Sequence, residues 1–331
     1  MIKKDDIFIV HVTDDLMMPA LEYAEKSLHF TFNRMGKGNL YVRAQNIVKG
    51  VIMEGAFRKL LDHHKVKYDL EGATHWTKKD RYDVRISGNK YDVKGFFISN
   101  YDQRQEIKKD KSWFLDCSAL VPADQLEART LGVNDKYLFP FLTGWTMNNI
   151  TDLYDMFAGT RERYLIHAFW DYEWFKNPEW KSLGEIIINT KMNEKFTLRL
   201  IGQDGAREAQ VEKIALKPIG EVKTKKKFYT LLSIQTNNIP TGNLTVKSIR
   251  LKKTEKITLN DWGNILVYDG LVYFTGYMSK GEFKRQSKFI PRFYKKCKQY
   301  AETKTDNRAI EISKLHSLKD ILPAKYDLFI P

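Results

Sequence analysis

Tyr82-Asp83-Val84-Arg85-Ile86-Ser87-Gly88-Asn89-Lys90-Tyr91-Asp92-Val93-Lys94 alternates apolar and charged residues on either side of a Ser-Gly-Asn-Lys turn. That is the pattern of a β-hairpin. With Gly88 and Asn89 as the two turn residues, Asp83 faces Lys94 and Arg85 faces Asp92. Side chains alternate along a strand, so Asp83, Arg85, Asp92 and Lys94 share one face. Tyr82, Val84, Ile86, Tyr91 and Val93 supply a core from the other. The second strand is expected to continue to Ile98.

Upstream, residues 41 to 64 read as a helix, with Ile47, Val51, Phe57, Leu60 and Leu61 at helical spacing. Positions 47, 51, 54, 58 and 61 form one stripe, which sets Glu54 among apolar residues. A carboxylate there is costly unless it is paired or binds a metal. Delivered onto the charged face of the hairpin, Glu54 is expected to complete a three-carboxylate pocket with Asp83 and Asp92. Such a pocket suits Mg²⁺, which takes hard oxygen ligands and leaves positions for water and a substrate phosphate. Lys94 then orients the attacking water or neutralises developing negative charge. The competing reading is a solvated hairpin. In it Asp83 pairs with Lys94 and Asp92 with Arg85 across the strands, and Glu54 pairs with Arg58 one helical turn on. Asp80 competes for the first acidic position, but Asp83 has the parity that matches Asp92 and Lys94.

Asp83, then Asp92-Val93-Lys94 on the next strand, preceded by the helical Glu54, resembles the PD-(D/E)xK nuclease superfamily over residues 41 to 98. Tyr82 stands where the pattern has Pro. The resemblance implies an α/β fold with a restriction-endonuclease-like core, a mixed β-sheet flanked by helices. It implies Asp83 and Asp92 as metal ligands, Lys94 serving the attacking water and Glu54 supporting the metal site. The implied activity is Mg²⁺-dependent hydrolysis of DNA phosphodiesters, with Mn²⁺ as a substitute. A type II-like restriction endonuclease is the leading subtype, acting on double-stranded DNA as a homodimer. The alternatives are a repair, recombination or phage-defence nuclease acting on DNA structure, and a non-catalytic DNA-binding protein with a decayed nuclease core.

Working outward, Ile7 to Val12 reads as a strand and Met18 to Phe32 as a helix. Further strands are expected at Trp113 to Leu120, Tyr137 to Thr143 and Tyr164 to Trp170. Residues 1–183 are expected to hold the nuclease core with its N-terminal helices. Residues 184–258 carry short alternating segments: Glu185 to Asn189, Phe196 to Ile201, Ala209 to Leu216, Phe228 to Gln235 and Leu244 to Leu251. Their spacing predicts a β-rich, sandwich- or barrel-like module suited to DNA target recognition. Residues 259–331 form a basic C-terminal segment. It has a strand at Leu271 to Met278, which is a candidate to return to the core, and a helix-like stretch from Lys284 to Lys298.

Lys plus Arg number 55 against 41 Asp plus Glu, a net charge of +14 that favours polyanionic partners. Arg43, Arg85, Arg250, Lys252, Lys253, Lys284, Arg285, Arg292, Lys295 and Lys296 are the candidate DNA contacts, and Asn46 and Lys49 lie near Arg43 on the helix. Gln235, Asn237 and Asn238 are candidates to read base edges. His63 and His64 at the helix end need no function there. No apolar run approaches the roughly 20 residues of a membrane helix, and no secretory signal is evident. Cys117 and Cys297 define neither a disulfide framework nor a zinc site. The expected location is a reducing cytoplasm.

Overall fold

The computed structural model describes residues 1–28, 40–72, 82–147, 163–169, 171–323 and 329–331. No helix among them is long and apolar enough to cross a membrane. The chain opens with β1 (Phe8–His11), α1 (Asp14–Ser27) and α2 (Leu40–His63). Then come β2 (Val84–Ile86), β3 (Asn89–Val93), β4 (Phe96–Ile98), α3 (Tyr101–Lys109), β5 (Ser118–Pro122), α4 (Ala123–Glu127) and β6 (Lys136–Trp145). A β-rich stretch supplies β7 (Leu165–Ala168), β8 (Ile186–Thr190), β9 (Phe196–Gln203), β10 (Ala209–Leu216) and β11 (Glu221–Lys223). It continues with β12 (Thr230–Thr236), β13 (Leu244–Ser248), β14 (Lys253–Ile257) and β15 (Gly263–Asn264). The chain closes with β16 (Tyr268–Ser279), β17 (Lys288–Ile290), β18 (Asn307–Glu311) and β19 (Phe329–Ile330).

The largest sheet is mixed and runs β19-β1-β16-β6-β3-β2, with β4 also beside β6. β16 is antiparallel to β1 and to β6, whereas β3 and β4 run parallel to β6. The strand anticipated at Leu271 to Met278 therefore returns to the middle of this sheet, and β7 to β15 lie in sequence between two paired strands. On one face lies α2, whose apolar spacing buries Val48, Ile52, Phe57 and Leu60. The Phe57 ring sits 6.0 Å from Tyr91 and 5.7 Å from Phe274, centroid to centroid. The other face carries a second apolar layer, in which Phe114 packs 4.9 Å from Phe141 and 4.8 Å from Tyr273. Each fully buried aromatic contributes about 1.5–3 kcal/mol through burial alone.

The β-rich stretch folds as two antiparallel sheets, β10-β9-β12-β7-β15 and β11-β8-β13-β14. Leu198, Leu200 and Ile234 from the first share one apolar core with Ile186, Ile188 and Val246 from the second. All five strands expected between 184 and 258 are present, with β10 matching end to end. The first sheet also takes in β7 and β15, which flank that span.

Three expectations are corrected. The run from Tyr91 to Ile98 is two strands, broken at Lys94-Gly95, where the Met53 side chain fills the space a Cβ on Gly95 would take. Trp113 to Leu120 starts as a 3-10 turn, Lys111–Asp116, and becomes strand only at β5. The stretch from Lys284 to Lys298 is not one helix. A Ser279–Glu282 capping box starts a helix at Lys280 that ends at Gln286, and β17 follows. β17 pairs with β18 and β18 with β5 in a fourth sheet.

Candidate active site

The hairpin turns on Ser87 (φ 47°) and Gly88 (φ 81°). Two successive left-handed residues make the turn whose twist suits a two-residue hairpin loop. The register is Ile86↔Asn89, Arg85↔Lys90 and Val84↔Tyr91. The expected turn, Gly88-Asn89, is thus one residue late, and the pairs Asp83–Lys94 and Arg85–Asp92 do not form across the strands. A change of turn by one residue moves each partner by two, so the side chains keep their faces. Beyond Val84 the ladder becomes irregular. The Asp83 N–H donates to the Tyr91 carbonyl at 3.1 Å. The Val93 N–H donates to Asp83 Oδ2 at 2.6 Å. The Asp83 carboxylate therefore lies beside the Asp92–Val93 peptide.

Asp92 and Lys94 pair within their own strand, Nζ to Oδ2, at 2.6 Å. Their side chains are only 27% and 15% exposed, so the pair is partly shielded from solvent. The Lys94 N–H donates to the Leu138 carbonyl at 2.7 Å, which ties the end of β3 to β6. Lys94 Nζ lies 5.8 Å from the centroid of the Tyr137 ring. Tyr137 is the in-register neighbour of Asp92 on β6. Its buried hydroxyl has no hydrogen-bond partner among the described residues. Burial, and then the negative charge of Asp92, push the Tyr137 phenol above its ordinary range. Linear spacing cannot reveal Tyr137 as part of this group, because parallel pairing with a distant strand brings it there. Arg85 is held elsewhere, by Asp69 at 2.9 Å and by Glu71.

Glu54 does not complete the site as expected. α2 covers the face that bears Tyr91, while Asp92 and Lys94, of opposite parity to Tyr91, point toward the layer that contains Tyr137. Among the described residues no three His, Cys, Asp or Glu side chains are placed to hold a metal ion. The three-carboxylate pocket of Glu54, Asp83 and Asp92 is therefore not formed. Mg²⁺ commonly binds through one or two carboxylates and keeps several waters. Asp83 lies beside the Asp92–Val93 peptide and Asp92 pairs with Lys94, which leaves two carboxylates near the end of β3. Asp80 lies outside the described residues.

The expected DNA contacts divide into two groups. Arg250 is engaged by Glu179 at 3.0 Å and the Ser182 carbonyl at 2.9 Å. Lys253 bridges Asp171 at 2.5 Å and Glu173 at 3.1 Å, and Lys284 meets Glu127 at 2.8 Å. Lys252, Arg285, Arg292, Lys295 and Lys296 are exposed, and Arg292 stacks 4.4 Å above the Phe293 ring. On α2, Arg43 is half-buried with its Nε unpaired, and burial lowers its pKa. Lys49 lies 4.0 Å over the Phe97 ring. Burial, with a smaller contribution from Lys304, holds its ammonium down at about 8. Gln235 is buried and accepts a hydrogen bond from the Tyr164 hydroxyl at 2.6 Å, so it does not read bases.

Comparison of the chain with protein-family models, with curated proteins and with solved structures finds no match.

Proposed function

We propose that this chain is a divalent-metal-dependent nuclease acting on double-stranded DNA, with Asp83, Asp92 and Lys94 at its centre. The observation that carries the reading is the 2.6 Å contact of the Asp83 carboxylate with the Val93 N–H, next to the 2.6 Å Asp92–Lys94 pair. Two acidic side chains and one shielded lysine meet where β3 ends, on a chain with a net charge of +14. Asp83 and Asp92 would hold Mg²⁺ or Mn²⁺, which supplies an acidified water and positive charge at the phosphate. Lys94 keeps its ammonium between Asp92 and the approaching phosphate, where it orients the nucleophile or offsets charge on the oxygens. A restriction-endonuclease-like core, target recognition by the β-rich region and a homodimer that cuts both strands belong to the same proposal.

Plasmid DNA, methylated and unmethylated, is digested with Mg²⁺ or with EDTA by the wild type, Asp92→Ala and Lys94→Ala. Mg²⁺-dependent cleavage lost in both variants supports the reading. Discrete fragments favour a restriction enzyme, and cleavage confined to branched or nicked substrates favours a repair nuclease. A second reading, a non-catalytic DNA-binding protein, is favoured by the absence of a three-donor metal group among the described residues. Binding without cleavage, unchanged in Asp92→Ala, selects it and refutes the first.

A further inference from the structure

In the β-rich region an open cavity of about 400 Å³ is lined by Phe175, Lys176, Asn177, Trp180, Gln203 and Arg207, together with Pro178. That size lies within the range of small-ligand sites. Among the described residues no carboxylate lines it. Two nearby acids are already engaged: Glu179 meets Lys181 and Arg250, each at 3.0 Å, and Asp204 accepts from the backbone N–H groups of Ala206 and Glu208. The two cations of the lining, Lys176 and Arg207, stack on aromatic rings instead. Lys176 Nζ lies 5.1 Å from the Tyr172 centroid and the Arg207 guanidinium 4.5 Å from the Trp180 centroid.

The aromatic wall is rigid. Trp180 Nε1 donates to the Gly205 carbonyl at 2.9 Å, and the Tyr229 ring packs 5.7 Å away at a 36° tilt. Three lining residues hold left-handed backbone: Asn177 (φ 40°), Trp180 (φ 46°) and Arg207 (φ 66°). Such conformations are costly for residues with side chains, above all for a tryptophan, and they gather at ligand sites. The Gln203 amide donates to the Arg207 carbonyl at 3.0 Å, which anchors the loop that bears the cation.

An aromatic–guanidinium stack, with two cations that meet no carboxylate and no acid in the lining among the described residues, selects a planar ligand that carries negative charge. We infer that this cavity takes one nucleotide unit of a nucleic-acid strand, its base on the layered Trp180–Arg207 stack and its phosphate on Lys176 and the edge of the Arg207 guanidinium. The inference rests on the nucleic-acid reading above but not on cleavage, and it requires a base that is flipped out of the duplex or supplied by a single strand. Base–aromatic stacking tolerates any base and is removed by loss of the ring. A free nucleotide and a nucleotide within a strand present the same chemistry, and the experiment separates them.

The full-length protein is titrated, in EDTA, against a fluorescein-labelled 20-nucleotide single-stranded DNA of mixed sequence and, separately, against dAMP. Variants are Trp180→Leu, Arg207→Gly, Lys176→Ala and the distant control Lys108→Ala. Glycine suits the backbone at 207, and the side chain removed is exposed. Circular dichroism checks that Trp180→Leu folds. Trp180→Leu is expected to weaken strand binding about 5- to 150-fold, the range for loss of one stacked base. Arg207→Gly and Lys176→Ala are each expected to weaken it at least threefold, with Lys108→Ala within twofold of wild type. Parallel loss of dAMP binding assigns the pocket to the nucleotide itself. Loss with the strand alone assigns it to a nucleotide presented by a strand. Wild-type affinity in Arg207→Gly and Lys176→Ala, or no strand binding by the wild type, overturns the inference. Absence of Mg²⁺-dependent cleavage with these binding losses intact overturns only the nuclease reading.

Discussion

Replacing Lys49 by methionine isolates one term in the stability of the α2 layer. Lys49 is half-buried over the Phe97 ring, and its ammonium is held down at about 8, first by burial and then by Lys304. An ordinary lysine titrates near 10.5. The depression corresponds to a penalty of about 3 kcal/mol on the charged form in the native state, at about 1.4 kcal/mol for each tenfold step. The ring returns about 1 kcal/mol of this through its cation–π attraction. Methionine keeps the length and packing without the charge. Lys49→Met is therefore expected to stabilise the protein by about 2 kcal/mol at pH 7. The sign with pH follows from proton counting. Between about 8 and 10.5 the unfolded chain still binds the proton that the native chain has shed, so wild-type stability gains from rising pH in that window. Below it the penalty is complete, and above it the penalty is gone. Urea unfolding of wild type and variant at pH 7, 9 and 10.5 reads the difference, because the many tyrosines titrate alike in both. A variant less stable than wild type at pH 7, or an advantage that persists undiminished at pH 10.5, would refute the reasoning.

Three further outcomes follow from the same geometry. Phe57→Ala, with its ring fully buried between Tyr91 and Phe274, is expected to cost about 3–5 kcal/mol in denaturant unfolding. A loss below about 1 kcal/mol would mean that α2 does not cover that face. Tyr137→Phe deletes a buried hydroxyl with no hydrogen-bond partner among the described residues, so it is expected to be neutral or to stabilise by about 1 kcal/mol. Destabilisation of that size in the same unfolding assay would reveal a partner. Glu54→Gln is expected to retain Mg²⁺-dependent cleavage within about tenfold of wild type, whereas Asp92→Asn falls by at least about 10². Equal losses would return Glu54 to the metal site.

Much of the architecture was legible because local periodicity carries it. The apolar spacing of Val48, Ile52, Phe57 and Leu60 marks α2, and alternation marks β10. The hairpin was legible too, as was the face shared by Asp83, Asp92 and Lys94, since parity survives a two-residue slip. Its register was not, because Ser87-Gly88 and Gly88-Asn89 are both plausible turns and the choice rests on which pair adopts positive φ. The layer that α2 covers was also hidden. A helical stripe shows that one side is buried, but not against which face of a sheet it lies, and Glu54 sits at the margin of that stripe. The helix expected through Lys298 failed for a local reason: basic residues and aromatics recur there, but after Gln286 the chain turns into β17, which pairs with β18, and Pro291 follows that strand.

The place of β16 between β1 and β6 has a consequence for how the chain comes off the ribosome. Trp145 ends β6 and Tyr268 begins β16, so the whole β-rich stretch is made between two strands that must lie side by side. At ordinary synthesis rates β6 waits on the order of ten seconds with one edge bare, and β1 waits longer. A nascent chain halted before Tyr268 therefore leaves both edges of β1 and one edge of β6 open, a natural target for chaperones and for aggregation. Completion of the central sheet is set by the arrival of its latest strand rather than by the speed at which the earlier ones fold.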